Sequence, residues 1–184
     1  RFTQPQYHSL SYPVEQERDV VGQTYISFSW LTTHILEQRD LLALAALDLV
    51  LTGNDASPLK HDLLKTGLCK QVEAFLEEDI NEVPYVVILK GCDAEDASKL
   101  EMAMRETLQR IAGEGVDMQR FEAALHQLEL QRTEITGSSY PFGLSLFMRA
   151  ALLRQHGGSA EDGLKIHSLF DTVRESCEDP GYLP

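Results

Sequence analysis

Two stretches of this 184-residue chain place a histidine three residues ahead of a glutamate: His34 before Glu37, and His126 before Glu129. In a His-x-x-Glu-His run on a helix, two imidazoles share one face as zinc ligands and the glutamate serves as base. Here the fifth position is Gln38 in one stretch and Leu130 in the other, so each lacks its second ligand. None of the six histidines (His8, His34, His61, His126, His156, His167) has another four residues away. Both near misses read as chance, and the residues predict no metal ligand and no cofactor bound by this chain.

Thiol chemistry is the next possibility. Cys69, Cys92 and Cys177 are odd in number and show no Cys-x-x-Cys spacing, which gives neither a disulfide framework nor a zinc knuckle and suits a reducing compartment. Cys92 precedes a predicted helix whose positive end would favour the thiolate, but Asp93, Glu95 and Asp96 crowd the same turn and oppose it. The expectation is structural thiols; a free-standing thiol hydrolase using Cys92 or Cys69 is the rival enzyme reading. There is no Gly-x-Ser-x-Gly elbow and no Walker sequence, and Gly113-Glu114-Gly115 follows a helix, the wrong context for a dinucleotide loop. Acid pairs such as Glu77 with Glu78, or Glu37 with Asp40, read as surface charge. The most unusual segment is residues 138–143, SSYPFG, which opens a helix. Its amide groups could meet a peptide carbonyl or carboxylate, or its aromatics could simply pack inward. No residue is a catalytic candidate.

The chain carries 16 Lys+Arg against 29 Asp+Glu, a net charge of −13, with 43% apolar and 24% charged residues. That composition is globular and long enough for one domain with a real core. Its acidity argues against nucleic acid and against an anionic membrane surface. No apolar run reaches the roughly 20 residues a bilayer needs. The start, Arg1-Phe2-Thr3, has no initiator Met and no signal-type stretch, so the expectation is a piece of a longer chain.

Residues 1–20 read as an extended lead-in or linker, and 21–184 as a single α+β domain truncated at its C-terminal end. Residues 24–30 alternate, with Ile26, Phe28 and Trp30 on one face and Tyr25, Ser27 and Ser29 on the other, which predicts a strand. Asp40 is expected to open an almost wholly apolar, buried helix over 41–52, with Gly53 as a left-handed cap. Ser57-Pro58 starts a short helix that Gly67 stops. Residues 70–77 alternate and 85–89 form a β-branched run, predicting an antiparallel pair whose second strand is central. Helices are then predicted over 94–112 with Asp93 as cap, over 118–134 with Asp117 as cap, and over 141–155 carrying Leu144, Phe147, Met148, Ala151 and Leu152. Ser159 with Asp162 resembles a capping box, and a last helix carries Ile166, Leu169, Phe170 and Val173. The sum is a small, mostly antiparallel sheet with several helices packed on it.

Taken in order, several segments resemble one family. They are QTYISFSW at 23–30, NDASPL at 54–59 leading to TGL at 66–68, FEAALHQLELQ at 121–131, and FGL at 142–144. Together, from about Val21 to the end, they are similar to the second domain of the N-terminal half in the presequence protease branch of the pitrilysin/insulinase zinc metallopeptidases. The resemblance implies a mitochondrial-processing-peptidase-like metallohydrolase fold and a non-catalytic, chamber-forming scaffold domain of a zinc-dependent peptidase. It implies zinc in the parent protein, carried by another domain, and none here. It implies the parent's other domains and peptide substrates as partners. Ser139, Tyr140, Phe142 and Gly143 would then line the substrate chamber. The parent would be cytoplasmic if bacterial, and in an organelle matrix if eukaryotic. The alternative is a domain of an inactive, peptidase-like structural or processing-complex subunit. The family domain continues with a further helix and strand, so an exposed sheet edge is also expected.

Overall fold

Aromatic and β-branched residues alternate with small polar ones over Thr24–His34, which is strand β1 of the computed structural model; it describes residues 2–15, 20–135, 141–179 and 181–183. Strands β2 (Gln71–Leu76) and β3 (Glu82–Cys92) complete the sheet seen among the described residues. β3 lies between its neighbours and antiparallel to both, in the order β1-β3-β2. The β-branched run at 85–89 thus occupies the strand paired on both sides, as its composition predicts. Rows such as Ile26–Leu89–Val72 and Phe28–Val87–Ala74 turn one face towards the helices. Tyr25, Ser27 and Ser29 face out.

The helices are α1 (Gln38–Thr52), α2 (Pro58–Lys65), α3 (Ala97–Glu114), α4 (Met118–Thr133), α5 (Phe142–Gln155) and α6 (Ile166–Ser176). The architecture is α+β, as expected. α1 is the hub, with apolar residues on nearly every side. Leu51 joins Leu59, Leu63, Val72, Val87, Leu89, Leu100 and Met104 beneath the sheet, with α2 and α3. On the other side, Leu42, Ala46 and Val50 meet Phe121 and Leu125 of α4 and Phe170 and Val173 of α6. A third, smaller cluster of Ile35, Leu41, Val83 and Leu153 ties α5 to the end of the sheet. Within this interior a polar link crosses from helix to strand. The Tyr85 hydroxyl donates to Asp48 Oδ1 at 2.8 Å, and Thr52 Oγ1 donates to the same oxygen at 2.8 Å. Burial is the main reason the Tyr85 phenol holds its proton far more tightly than usual, and the facing Asp48 carboxylate adds to it.

Several local expectations are corrected. α1 begins at Gln38, two residues ahead of Asp40, which sits in the first turn where a negative charge is favoured by the positive end of the helix dipole. Gly53 has φ −58 and is right-handed; its amide donates to the Leu49 carbonyl at 3.0 Å, so the helical hydrogen bonding runs on through it and no left-handed cap forms. Asp93 caps nothing. Its Oδ1 accepts from the Gly22 amide at 2.8 Å, pinning the entry to β1, while a 3-10 turn (Ala94–Asp96) leads into α3. α3 runs past Gly113 to Glu114, with Gly115 as its cap. Ser159 opens a 3-10 turn at Asp162–Leu164 rather than the last helix. Asp117 does cap α4, accepting from the Gln119 and Arg120 amides. Residues 136–139, which read in sequence as a loop between two helices, lie outside the described residues.

Candidate functional site

The nucleophile candidates are decided by the sheet. Inward-facing residues of β3 run Val83, Tyr85, Val87, Leu89, and strict alternation would put Gly91 inside and Cys92 outside. Instead Thr24 pairs with Cys92 and Tyr25 with Lys90, leaving Gly91 as an extra residue at φ +75. That bulge, in a left-handed conformation glycine adopts cheaply, returns Cys92 to the core side at 0% exposure. Burial, with Cys69, Asp93 and Asp96 adding repulsion, pushes the Cys92 thiol up to about 11. Cys69, also buried, is raised by burial too. Both thiols are buried and burial disfavours their thiolates, the opposite of what a hydrolase nucleophile needs.

The histidines are dispersed. His34 closes β1, where its Nδ1 accepts from the Leu36 amide at 3.1 Å. His126 is exposed on α4. His61 lies 3.2 Å from Asp62 and His167 3.4 Å from Glu129. Among the described residues no group of three or more His, Cys, Asp or Glu converges on one point. This donor set does not fit zinc.

Of the candidate lining residues, Phe142 is half-buried and Gly143 exposed in the first turn of α5, behind Pro141, whose carbonyl accepts from the Leu144 amide at 2.9 Å. A Cβ at Gly143 would meet nothing within 4 Å. Ser139 and Tyr140 lie outside the described residues.

What the residues alone did not reveal is a groove of about 1500 Å³ between the lead-in and the outer face of β1. The lead-in contributes Phe2, Leu10 and Tyr12, and the strand contributes Tyr25, Ser27 and Ser29. Tyr12 stacks on Tyr25 with ring centroids 5.6 Å apart, and its hydroxyl donates to the Gln23 carbonyl. Lys90 Nζ stands 6.0 Å from the Tyr25 ring and pairs with Glu73 at 2.6 Å. β1 is an edge strand, so the main-chain groups on the side away from β3 lie outside the sheet's hydrogen bonding. Such an edge, with aromatic walls, can accept an extended chain by strand addition. The outward alternation of Tyr25, Ser27 and Ser29 was the visible half of this signal. The lead-in's half has no period to read.

Comparison with known proteins gives four results. The model of the family described as "Peptidase M16 inactive domain" matches residues 1–128. Presequence protease 1, chloroplastic/mitochondrial, of Arabidopsis thaliana is 30% identical over 151 residues, 81% of this chain and 14% of its own length. The mitochondrial presequence protease of Xenopus laevis is 27% identical over 187 residues, 100% of this chain and 18% of its own. The chain therefore spans less than a fifth of the length of these relatives. Among solved structures, the inactive peptidase domain of a candidate zinc protease from Bordetella parapertussis superposes with TM-score 0.67 at 15% identity, covering 86% of this chain and 80% of that one. No helix among the described residues is long and apolar enough to cross a membrane.

Proposed function

The chain belongs to the family of peptidase M16 inactive domains, and from that membership we propose that it serves a longer zinc-dependent peptidase as wall and scaffold of a peptide chamber. The observation that carries this reading is the family match over residues 1–128, which spans the lead-in, the whole sheet and the first three helices. The chemistry would be done elsewhere in the parent, where zinc polarises the scissile carbonyl and activates water. This domain would hold its neighbours in place and present surface to the substrate.

In this reading residues 1–20 are the lead-in and 21–184 one α+β domain. The partners are the parent's other domains and its peptide substrates. Phe142 and Gly143, at the start of α5, face the chamber, and Ser139 and Tyr140 are assigned to its lining from the family resemblance alone. The groove beside β1 offers a second surface for an extended chain. A net charge of −13 would draw basic peptides towards it. A eukaryotic parent would work in an organelle matrix, a reading supported by the Arabidopsis protein's being named chloroplastic/mitochondrial and the Xenopus protein's mitochondrial.

The test is the native polypeptide's size and metal content. Blotting source lysate with an antibody to this chain should show a band several times 20.7 kDa, and that species, once purified, should carry zinc and cleave peptides in a chelator-sensitive way. A native band near 20.7 kDa, or stoichiometric zinc on the 184-residue chain itself, would sink the reading.

A further inference from the structure

Among the described residues, helix α5 is held from one side. Leu153 is buried and Leu152 partly so, both in the cluster with Ile35, Leu41 and Val83. On the opposite side Leu144, Phe147, Met148 and Ala151 recur at helical spacing, and the first three are 42%, 63% and 60% exposed. Single exposed apolar residues are ordinary; a stripe of them along one helix marks a contact surface.

Charge selects what would cover it. The chain is acidic throughout, yet residues 135–160 hold no Asp or Glu and carry Arg149, Arg154 and His156. Arg154 is exposed seven residues after Phe147, two turns along the same side of the helix. Arg149 lies inward, close enough to Arg132 of α4 to be repelled by it, and the acid paired with Arg132 is Glu78 at 3.8 Å. Acids return only at Glu161 and Asp162, and Asp162 is bound by Lys165 at 2.9 Å. A locally positive, apolar helix face therefore sits on a negative molecule. A second copy docking through the same face would bring the same acid-free surface, with no carboxylate to offer Arg154.

Resting on the reading that the chain is one domain of a longer peptidase, we propose that the outer stripe of α5, formed by Leu144, Phe147, Met148 and Ala151 and flanked by Arg154, seats a helix from elsewhere in the parent polypeptide. That helix is apolar at i, i+3, i+4 and i+7 and carries carboxylates beside the stripe. Covering Phe147 and Met148 supplies the hydrophobic part of the affinity, and the Arg154–carboxylate pair fixes orientation.

Two labelled helical peptides test this against the 184-residue chain: one with a leucine stripe and glutamate flanks, the other identical but with lysine flanks. The glutamate peptide should bind ~10-fold tighter by fluorescence anisotropy, even though the overall charge of the chain opposes it. Phe147→Asp should abolish that binding with the urea midpoint unchanged, and Arg154→Glu should reverse the preference. Equal or tighter binding of the lysine peptide overturns the proposal. So does glutamate-peptide binding that survives Phe147→Asp, or a wild-type dimer in sedimentation that Phe147→Asp dissociates. A native band near 20.7 kDa beside intact glutamate-peptide selectivity would instead remove the parent polypeptide as the helix's source. Failure of the surface and failure of the multidomain reading therefore give different results.

Discussion

Helices α1 and α5 are both apolar on almost every face, and neither shows a strong one-sided stripe of hydrophobicity in its sequence. Seven residues of α1 are buried, against Leu153 alone in α5. The difference lies in their surroundings. α1 has the sheet and α2 on one side and α4 and α6 on the other, so apolar side chains at any position find cover. α5 has the short Asp162–Leu164 turn against its back, where a Cβ at Gly163 would stand 3.0 Å from the Arg149 carbonyl, and the small cluster around Leu153. The contrast teaches that an apolar helix is stabilised only as far as other elements are built around it, and that one left half-covered is an interface.

The largest expected effect tests that contrast directly. Phe121→Ala or Phe170→Ala, each removing a fully buried ring beside α1, should cost about 3–5 kcal/mol in urea unfolding. Phe147→Ala on α5 should stay within about 0.5 kcal/mol. Equal costs would break the comparison. Next comes the polar link from β3 to α1. Tyr85→Phe leaves Asp48 with Thr52 as its hydroxyl donor, and the urea midpoint should fall by an amount equal to about 1–2 kcal/mol.

A smaller effect sharpens how the far side of α1 is closed. Arg174 of α6 reaches Glu122 at 2.9 Å and Glu129 at 2.7 Å on α4. The Arg174 hydrogen bond holds Glu129 below the ordinary glutamate range. A carboxylate with a depressed folded-state pKa contributes stability above its unfolded value and loses it as pH falls through the folded one. Arg174→Met should therefore cost about 1 kcal/mol at neutral pH. The gap between wild type and variant should close as the medium is acidified through Glu129's lowered pKa, read as urea midpoints along a pH series. A gap that widened in acid would contradict the pairing. Smallest of all, Phe147→Glu should leave the midpoint of the isolated chain within about 0.5 kcal/mol, because that ring is 63% exposed.

Much of the fold was legible because it rests on short-range rules. The alternation over residues 24–30, the β-branched run at 85–89, the cap at Asp117 and the stop at Gly67 each depend on a few adjacent residues. The candidate site was far less so. Cys92 reads in sequence as a residue at the mouth of a helix, and only the register between β1 and β3 shows Gly91 turning it inward. Asp93 has a cap's chemistry, yet its carboxylate is taken by the Gly22 amide, 71 residues away in sequence. The groove depends on the lead-in lying against β1, joined by Tyr12 and Tyr25, with nothing periodic in residues 2–15 to announce it.

By itself the sequence determined which segments are strands and which are helices, because backbone preference and side-chain period are properties of neighbouring residues. It also determined that no thiol, histidine or serine pattern builds a recognisable nucleophile or zinc helix. The tertiary structure decided which apolar surfaces are covered. Burial needs a partner surface, and partners for α1 come from elements as far apart as Val72 and Phe170. For α5 the described residues supply a partner on one side, and the stripe that reads like another core face is exposed instead.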